Sequence, residues 1–279
     1  FDSLLTHDLA FREVMKEEFE EWDMFGSPEI LPISLTTDFK LLTRQKLKDE
    51  YQQAVMNYHL NDTVSVNWKV KIRPRGNARR KACFYPPLKI NFSKKEVFWE
   101  QLKEHDKVKM VIECRNSNWA TQILLLEYYA YKVYNLITDY SFRVKLLEVS
   151  YTDTSEKINP DQGYAFFIED VDLLASRINA VKVNLKNIKE QVTDHKNLAD
   201  FYVFQYFIGN TDWSIKADHN IELLKLNDPF RSILLTIPYD FDYAGIVDAN
   251  YALPNDKYDL ESVRERMYLG SCIEESYVR

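Results

Sequence analysis

The sequence predicts an α+β protein of two lobes, in which a β-rich first half carries one long helix and the second half is more helical. Residues 64–72 and 88–92 alternate apolar and polar side chains, which is the period of β-strands. Residues 118–137 place apolar side chains three and four positions apart, which is the stripe of an amphipathic helix. Residues 197–208 are apolar nearly all round and predict a buried helix in the second half.

The remaining elements follow from the same patterns. Residues 1–25 carry eight acidic side chains against Arg12 and Lys16, and predict an acidic helix or linker. We expect a first lobe over residues 26–170 and a second lobe over residues 171–279. The further elements expected are a helix at 41–56, strands at 142–146, 164–169, 221–224 and 232–238, and two short helices within 171–195.

The composition excludes several classes of protein. The 279 residues include only six glycines, and no two are closer than the 25 positions from Gly245 to Gly270. A Walker A loop, a Rossmann turn and a kinase glycine loop each need two glycines within a few residues, so all three are excluded. No apolar run reaches the roughly 18 residues of a membrane span, so no transmembrane segment is expected. The net charge of −7 argues against a nucleic-acid partner.

The three cysteines allow two interpretations of their redox state. No CxxC pair is present, which argues against a structural zinc site. Cys83 and Cys114 either pair in an oxidising compartment or remain two small buried thiols.

Polar residues that suit phosphate chemistry follow the predicted buried helix. The segment 209–220 contains Asp212, Asp218 and Asn220, and after a predicted strand pair comes Tyr239-Asp240-Phe241-Asp242. Phosphoryl transfer needs a carboxylate to orient the attacking hydroxyl, and an Asn and an Asp to hold Mg²⁺ on the phosphates. Loops are also rich in Asp and Asn because these residues form turns. The presence of both segments, in this order, favours the chemical interpretation.

These motifs resemble those of two groups of atypical kinases. Gly209-Asn210-Thr211-Asp212 with Asn220, followed by Pro238-Tyr239-Asp240, is similar to the HipA-type kinases, and the forms with His219 and Asp242 look more like the spore-coat CotH-type kinases. Arg75-Gly76-Asn77 ahead of Lys89 resembles a CotH-type turn and strand. The resemblance implies a two-lobed atypical protein-kinase-like fold, ATP and Mg²⁺ as cofactors, and an exported protein. It also implies phosphate transfer to a hydroxyl of an unknown protein or small molecule.

The resemblance carries roles to individual residues. It implies that Lys89 grips nucleotide phosphates, that Glu127 pairs with Lys89, and that Asp212 is the catalytic aspartate. Asn220 and Asp240 match metal ligands, and Asp242 is a second ligand or a rival to Asp240. Asp212 and Asn220 lie eight positions apart, against five in the common kinase loop, which makes Asp218 a rival base.

A basic turn adds a second candidate for phosphate contacts. Residues 73–81 include five Lys and Arg side chains, and arginines bind phosphate through two parallel hydrogen bonds. In the kinase interpretation Arg75, Gly76 and Asn77 cover the phosphates, and Glu169 lies where the backbone faces adenine. The alternative interpretation is that this basic turn is a solvated hairpin tip without a function.

Other functions remain open on the sequence alone. A kinase-like module that binds without catalysis is one, and an AMP transferase on the same fold is another. A protein that binds polyanions through residues 73–81 alone is a third.

Overall fold

Seven strands close into a β-barrel in the computed structural model of this chain, which describes residues 24–26, 30–59, 65–94, 106–114, 117–185, 187–230 and 233–273. The chain divides into two compact units. The first comprises Phe1–Thr121 and Val144–Asp170, and the second comprises Gln122–Arg143 and Val171–Arg279. The barrel belongs to the first unit. Its strands are β1 (Leu31–Thr37), β2 (Gln52–His59), β3 (Ser65–Pro74), β4 (Leu88–Phe92), β5 (Lys107–Ile112), β6 (Val144–Asp153) and β7 (Asp161–Ile168).

The barrel closes through one parallel pairing. Its strand order is β1-β2-β3-β4-β5-β7-β6, and β6 returns to β1 with Leu31 opposite Leu147 and Thr37 opposite Asp153. The other barrel pairs are antiparallel. Alternation decides which side chains face inward: Val70 and Ile72 are buried, whereas Lys69 and Lys71 between them are exposed. Closure leaves no free edge strand in this sheet.

Two helices and a disulfide complete the described part of the first unit. Helix α1 is Phe39–Arg44 and helix α2 is Ala78–Ala82. Asp38 caps α1 by accepting a hydrogen bond from the Leu41 N–H at 2.7 Å. Cys83, directly after α2, forms a disulfide with Cys114, just beyond the end of β5. The disulfide therefore ties the segment that follows α2 to the barrel wall.

The second unit combines helices with a small antiparallel sheet. Its strands are β8 (Ala180–Lys182), β9 (Ile221–Leu226) and β10 (Leu234–Pro238), in the order β10-β9-β8. Its helices are most of α3 (Asn118–Ile137), then α4 (Val171–Arg177) and α5 (His195–Phe207), with a 3-10 turn at Glu190–Val192. The rings of Tyr131, Phe204 and Phe241 pack together, with centroids 4.5 Å apart for Tyr131–Phe241 and 5.4 Å apart for Phe204–Phe241. These aromatic contacts join α3, α5 and the segment after β10.

The predicted two-lobed, atypical protein-kinase-like fold is wrong. The protein is β-rich with a closed seven-stranded barrel, and its described residues contain five helices. The period of a strand shows which face is buried but not which strand it pairs with, so the sequence pattern could not reveal the β1–β6 pairing that closes the barrel.

Most of the individual helices and strands predicted from the sequence patterns are present in the structure. The long helix at 118–137, the strands at 64–72 and 88–92, and the helix at 197–208 are confirmed as α3, β3, β4 and α5. The helix predicted at 41–56 is wrong: it covers only Phe39–Arg44, and residues from Gln52 form β2. The acidic helix or linker at 1–25 lies outside the described residues, apart from buried Met24 and Phe25. No helix among the described residues is long and apolar enough to cross a membrane.

A single buried carboxylate ties α1 to the β6–β7 turn. Asp153 accepts hydrogen bonds from the Phe39 N–H at 2.8 Å, the Ser155 hydroxyl at 2.6 Å, and the N–H groups of Lys157 and Ile158 at 3.0 Å each. Burial acts to raise the pKa of Asp153, but these four donors hold that pKa well below its ordinary value.

We therefore expect Asp153→Asn to lower the free energy of unfolding by about 2–3 kcal/mol at pH 7, because an amide cannot accept all four bonds. The native pKa is depressed, so this stabilisation is present above the unfolded-state pKa of about 4 and is lost as the pH falls below it. Urea denaturation of both proteins at pH 7 and pH 3 measures the gap, which should narrow at pH 3. Asp256→Asn, at an exposed aspartate, is the control and should change stability by less than about 0.5 kcal/mol. An equal effect of the two substitutions would contradict this role.

Candidate active site

Asn210 sets the course of the loop that follows α5. Gly209 ends the helix with a φ of +67°, a conformation that glycine adopts without steric cost. The buried Asn210 then donates from its side-chain amide to Gln205 Oε1 at 3.0 Å and accepts the Asp212 N–H on Oδ1 at 3.0 Å. The Trp213 indole N–H donates to the Asn210 carbonyl at 3.1 Å. These bonds fix the backbone on both sides of Asp212.

Two neighbours hold the Asp212 carboxylate. Asn220 Nδ2 donates to Asp212 Oδ2 at 2.9 Å and to the Asp212 carbonyl at 2.7 Å. His219 Nε2 lies 2.9 Å from Asp212 Oδ1. A pair of backbone hydrogen bonds between Ser214 and His219, each 3.0 Å long, closes the loop and brings these neighbours back to Asp212. The eight positions between Asp212 and Asn220 thus form a hairpin-like turn whose two ends touch.

The β9–β10 pairing places the second acidic segment beside the first. Pro238 at the end of β10 pairs with Ile221 at the start of β9, and the Tyr239 N–H donates to the Asn220 carbonyl at 3.1 Å. The next residue, Asp240, donates its N–H to the Tyr131 hydroxyl at 2.8 Å. Asp240 is therefore bonded to Tyr131 of α3. It also directly follows Tyr239, whose N–H is bonded to Asn220.

The carboxylates of this region share one electrostatic environment. Burial raises the pKa of Tyr243, and the negative charges of Asp242, Asp212 and Asp240 raise it further. Asp242 is buried and accepts a hydrogen bond from the Tyr251 hydroxyl at 3.0 Å. Three aspartates that act on one phenol make the surrounding potential negative, which favours a bound cation.

The backbone is left-handed at three residues of the two loops. The φ angles are +54° at Asp218, +52° at Asn220 and +64° at Asp240. Asn and Asp adopt this region more readily than other non-glycine residues, but it still has a conformational cost. Such conformations persist where the surrounding structure determines them, and they are enriched at functional sites.

The donor atoms suit magnesium in the presence of a phosphate. The described residues contain no group of three or more His, Cys, Asp or Glu side chains that could hold a metal ion alone. Mg²⁺, however, is usually held by one or two carboxylates together with substrate phosphates and waters. Since Asn220 Nδ2 is bonded to Asp212, Oδ1 is the atom of this amide that can ligate a cation. Asn220, Asp240 and Asp242 therefore each carry oxygen atoms of the hard kind that Mg²⁺ prefers.

The two candidate bases differ in their surroundings. Asp212 is partly buried and carries the contacts described above. Asp218 lies on the exposed turn, where its N–H donates to the Ile215 carbonyl at 3.3 Å. Its neighbour Ala217 donates to the Ser214 hydroxyl at 3.1 Å. Hydrogen bonds thus connect Asn220 to Asp212 rather than to Asp218.

The phosphate-binding residues predicted in the first unit lie near the β3–β4 end of the barrel. The Arg75 N–H donates to the Pro87 carbonyl at 2.8 Å, and Gly76 has a φ of +80° with open space around it. Asn77 precedes α2, and Lys89 lies opposite Arg73 in the β3–β4 pairing. Four of the five residues predicted to contact the nucleotide thus lie in the β3–β4 region of the barrel. The fifth, Glu169, is fully buried directly after β7.

The basic turn is exposed to solvent at Gly76, Asn77, Lys81 and Ala82, but much of its charge is paired. Arg73 and Arg80 both pair with Asp49, at 3.0 and 2.7 Å, and Arg79 is buried in α2. Residues 78–82 are helical rather than a hairpin loop. Three of the five cations that the sequence groups together are therefore engaged inside the first unit.

Glu127 is buried on α3, one helical turn before Tyr131. The Lys89–Glu127 pair and the roles that the resemblance implies for the individual residues stay predictions.

Sequence reasoning missed the tyrosines of the site. Tyr131 occupies an apolar helix position and Tyr251 lies in a weakly patterned tail, so neither carries a local signal of its contact with the acidic segment. Tyr243 follows Asp242 directly, and this adjacency was the one available hint.

We expect Tyr131→Phe to lower the free energy of unfolding by about 1–2 kcal/mol, because it leaves the Asp240 N–H without its acceptor. Tyr134→Phe, on the same helix, is the matched control: its buried hydroxyl has no hydrogen-bond partner among the described residues, so its loss should change stability by less than about 0.5 kcal/mol. Urea denaturation measures both. A cost for Tyr134→Phe as large as that for Tyr131→Phe would refute the anchoring role of Tyr131.

Comparison with protein-family models finds none that matches this chain, and comparison with curated protein sequences finds no match either.

Proposed function

We propose that this protein is an ATP- and Mg²⁺-dependent phosphotransferase that transfers phosphate to a hydroxyl group. The observation that supports this most is the joining of Asp212 to Asn220 by two hydrogen bonds beside Asp240 and Asp242. A carboxylate next to an amide and two further carboxylates is the set of groups that phosphoryl transfer requires. The proposal rests on residues of the second unit alone.

Asn220, Asp240 and Asp242 are the residues that would hold Mg²⁺. When bound, the ion neutralises charge on the transferring phosphate and on the leaving oxygen. The Tyr131 and Tyr251 hydroxyls, through their contacts with the Asp240 N–H and with Asp242, keep this acidic segment in place before a nucleotide binds. Such preorganised ligands avoid a reorganisation cost during the reaction.

Asp212 orients the acceptor hydroxyl and takes its proton on a carboxylate oxygen. Each carboxylate oxygen has two acceptor sites, so the bonds to His219 and Asn220 leave acceptor capacity for a hydroxyl donor. The same two bonds fix the plane of the carboxylate. Fixed orientation of the hydroxyl toward the phosphate accounts for much of the rate gain in reactions of this kind.

A second candidate is nucleotide binding without turnover. One observation favours it: both carboxylate oxygens of Asp212 already have a hydrogen-bonding neighbour, so an acceptor hydroxyl must compete with His219 and Asn220 for them. Binding would then be retained while proton transfer from an acceptor is slow.

The test compares the wild-type chain with Asp240→Ala, Asp212→Asn and the control Asp256→Ala, an exposed aspartate of the same unit. Each is incubated with labelled ATP, with and without Mg²⁺, and followed by thermal shift and by mass spectrometry of modified protein. We expect a Mg²⁺-dependent shift and phosphate incorporation in the wild type and in Asp256→Ala. Asp240→Ala should lose both. Asp212→Asn should keep the shift but lose at least about 100-fold in rate.

Three outcomes would overturn the proposal. A shift without any product, even in the wild type, supports the binding function instead. An AMP adduct in place of phosphate would identify nucleotide transfer. Identical behaviour of Asp240→Ala and Asp256→Ala would show that the acidic loops have no role in nucleotide chemistry.

A further inference from the structure

Residues 251–273 lie against the two acidic loops without forming a helix or a strand. We call this segment the strap. The structure describes all of its residues, and Val263 is the only one that is buried, at 7% exposure. Segments with few buried apolar side chains open locally at a low cost in free energy. We therefore expect the strap to open more readily than α5, which buries seven of its thirteen residues.

Side chains of the strap contact both acidic loops. The Tyr251 hydroxyl donates to Asp242 Oδ2 at 3.0 Å. Asn255 Nδ2 donates to the carbonyl of Thr211 at 3.4 Å. The strap therefore reaches the carboxylate of one proposed Mg²⁺ ligand and the backbone directly before Asp212.

Two glycines let the backbone of the strap pack closely on these loops. The Gly245 N–H donates to the Gly209 carbonyl at 3.0 Å, which joins the segment after β10 to the end of α5. A methyl group at Gly245 would overlap the Val263 carbonyl oxygen and would lie 3.0 Å from the Cα atom of Arg264. Arg266 Nε donates to the last carbonyl of α5 at 3.1 Å. The docked position of the strap thus requires a residue without a side chain at position 245.

The strap differs from the other supports of the site. Asp240 bonds to Tyr131 of α3, and Asp212 bonds to Asn220, which directly precedes β9. A long helix and a paired strand open at a higher cost than a segment without regular structure. Opening of the strap removes a hydrogen bond from Asp242 while the rest of the unit stays folded.

We propose that the strap is a conformational switch for the acidic loops, docked when Mg²⁺ and a nucleotide are bound and undocked more often when they are not. The docked strap orients Asp242 through Tyr251, so a cation that uses Asp242 binds the docked state more tightly. The coupling is reciprocal, so the bound cation and nucleotide make undocking rarer by the same factor. This inference rests on the proposed function, because it concerns the regulation of the same site.

The test is limited digestion of the intact chain by trypsin, with the cleavage sites identified by mass spectrometry. Lys257, Arg264 and Arg266 are exposed trypsin sites within the strap. Digestion is followed without ligand, with Mg²⁺ alone, and with Mg²⁺ and a non-hydrolysable ATP analogue. We expect Mg²⁺ with the analogue to slow cleavage at these three sites at least about fivefold, which is the lower end of usual couplings between sites.

Two variants and a control locate the cause. Gly245→Ala forces the strap away from the loop, so without ligand its strap should be cleaved at least about fivefold faster, and it should bind the analogue at least about fivefold more weakly. Tyr251→Phe keeps the ring but removes the bond to Asp242, so it should lose most of the protection by ligand while the chain still folds. Asp256→Ala, at an exposed strap residue, should behave as the wild type in each measurement.

The outcomes separate the strap from the proposed function. Cleavage confined to the strap distinguishes undocking from unfolding, and if Gly245→Ala is cut throughout the chain, Tyr251→Phe decides. Equal cleavage with and without the analogue, in a wild type whose thermal shift shows nucleotide binding, would overturn the switch and leave the proposed function standing. A wild type that binds no nucleotide would overturn both. Strap cleavage in both variants no different from that in Asp256→Ala would also overturn the switch.

Discussion

Asn220 joins the two acidic loops of the second unit. Its side-chain nitrogen donates to both the carboxylate and the carbonyl of Asp212, while its backbone carbonyl accepts the Tyr239 N–H that leads into Asp240. Two backbone bonds, from the Gly245 N–H to the Gly209 carbonyl and from the Ile246 N–H to the Ile208 carbonyl, each 3.0 Å long, join the same two parts of the chain. Because one residue contacts both segments, a change at Asn220 displaces the carboxylates relative to each other. The backbone is left-handed at both Asn220 and Asp240.

Local patterns predicted single elements of the fold well, but not how they pair. Alternation identified β3 and β4, and helical spacing identified α3, because burial of one face leaves a period in the sequence. Leu41, Leu42, Leu47 and Tyr51 follow a helical spacing that predicts a helix over residues 41–56, but the helix ends at Arg44. The parallel β1–β6 pairing joins strands more than a hundred residues apart, and no local period records such a contact. The two-lobed architecture was therefore the part of the prediction that failed.

The candidate site shows the same difference between what local sequence patterns predict and what only the fold reveals. Asp212, Asn220, Asp240 and Asp242 were identifiable because their residue types cluster in two short segments. The tyrosine hydroxyls that contact these segments come from α3 and from the chain after residue 250, so only the fold reveals them. The basic turn at 73–81 is conspicuous in the sequence, but the sequence does not show that its charges are partly paired or buried. Arg73 and Arg80 form ion pairs with Asp49, and Arg79 is buried in α2.

The central claim, that the acidic loops hold a divalent cation on a nucleotide, is tested most directly by locating that cation. Crystals of the whole chain grown with Mn²⁺ and a non-hydrolysable ATP analogue would reveal the ion through its anomalous scattering. We expect one Mn²⁺ ligated by Asn220 Oδ1, by a carboxylate of Asp240 or Asp242, and by phosphate oxygens. Nucleotide bound with no ion at these three residues, or Mn²⁺ bound elsewhere on the chain, would contradict it.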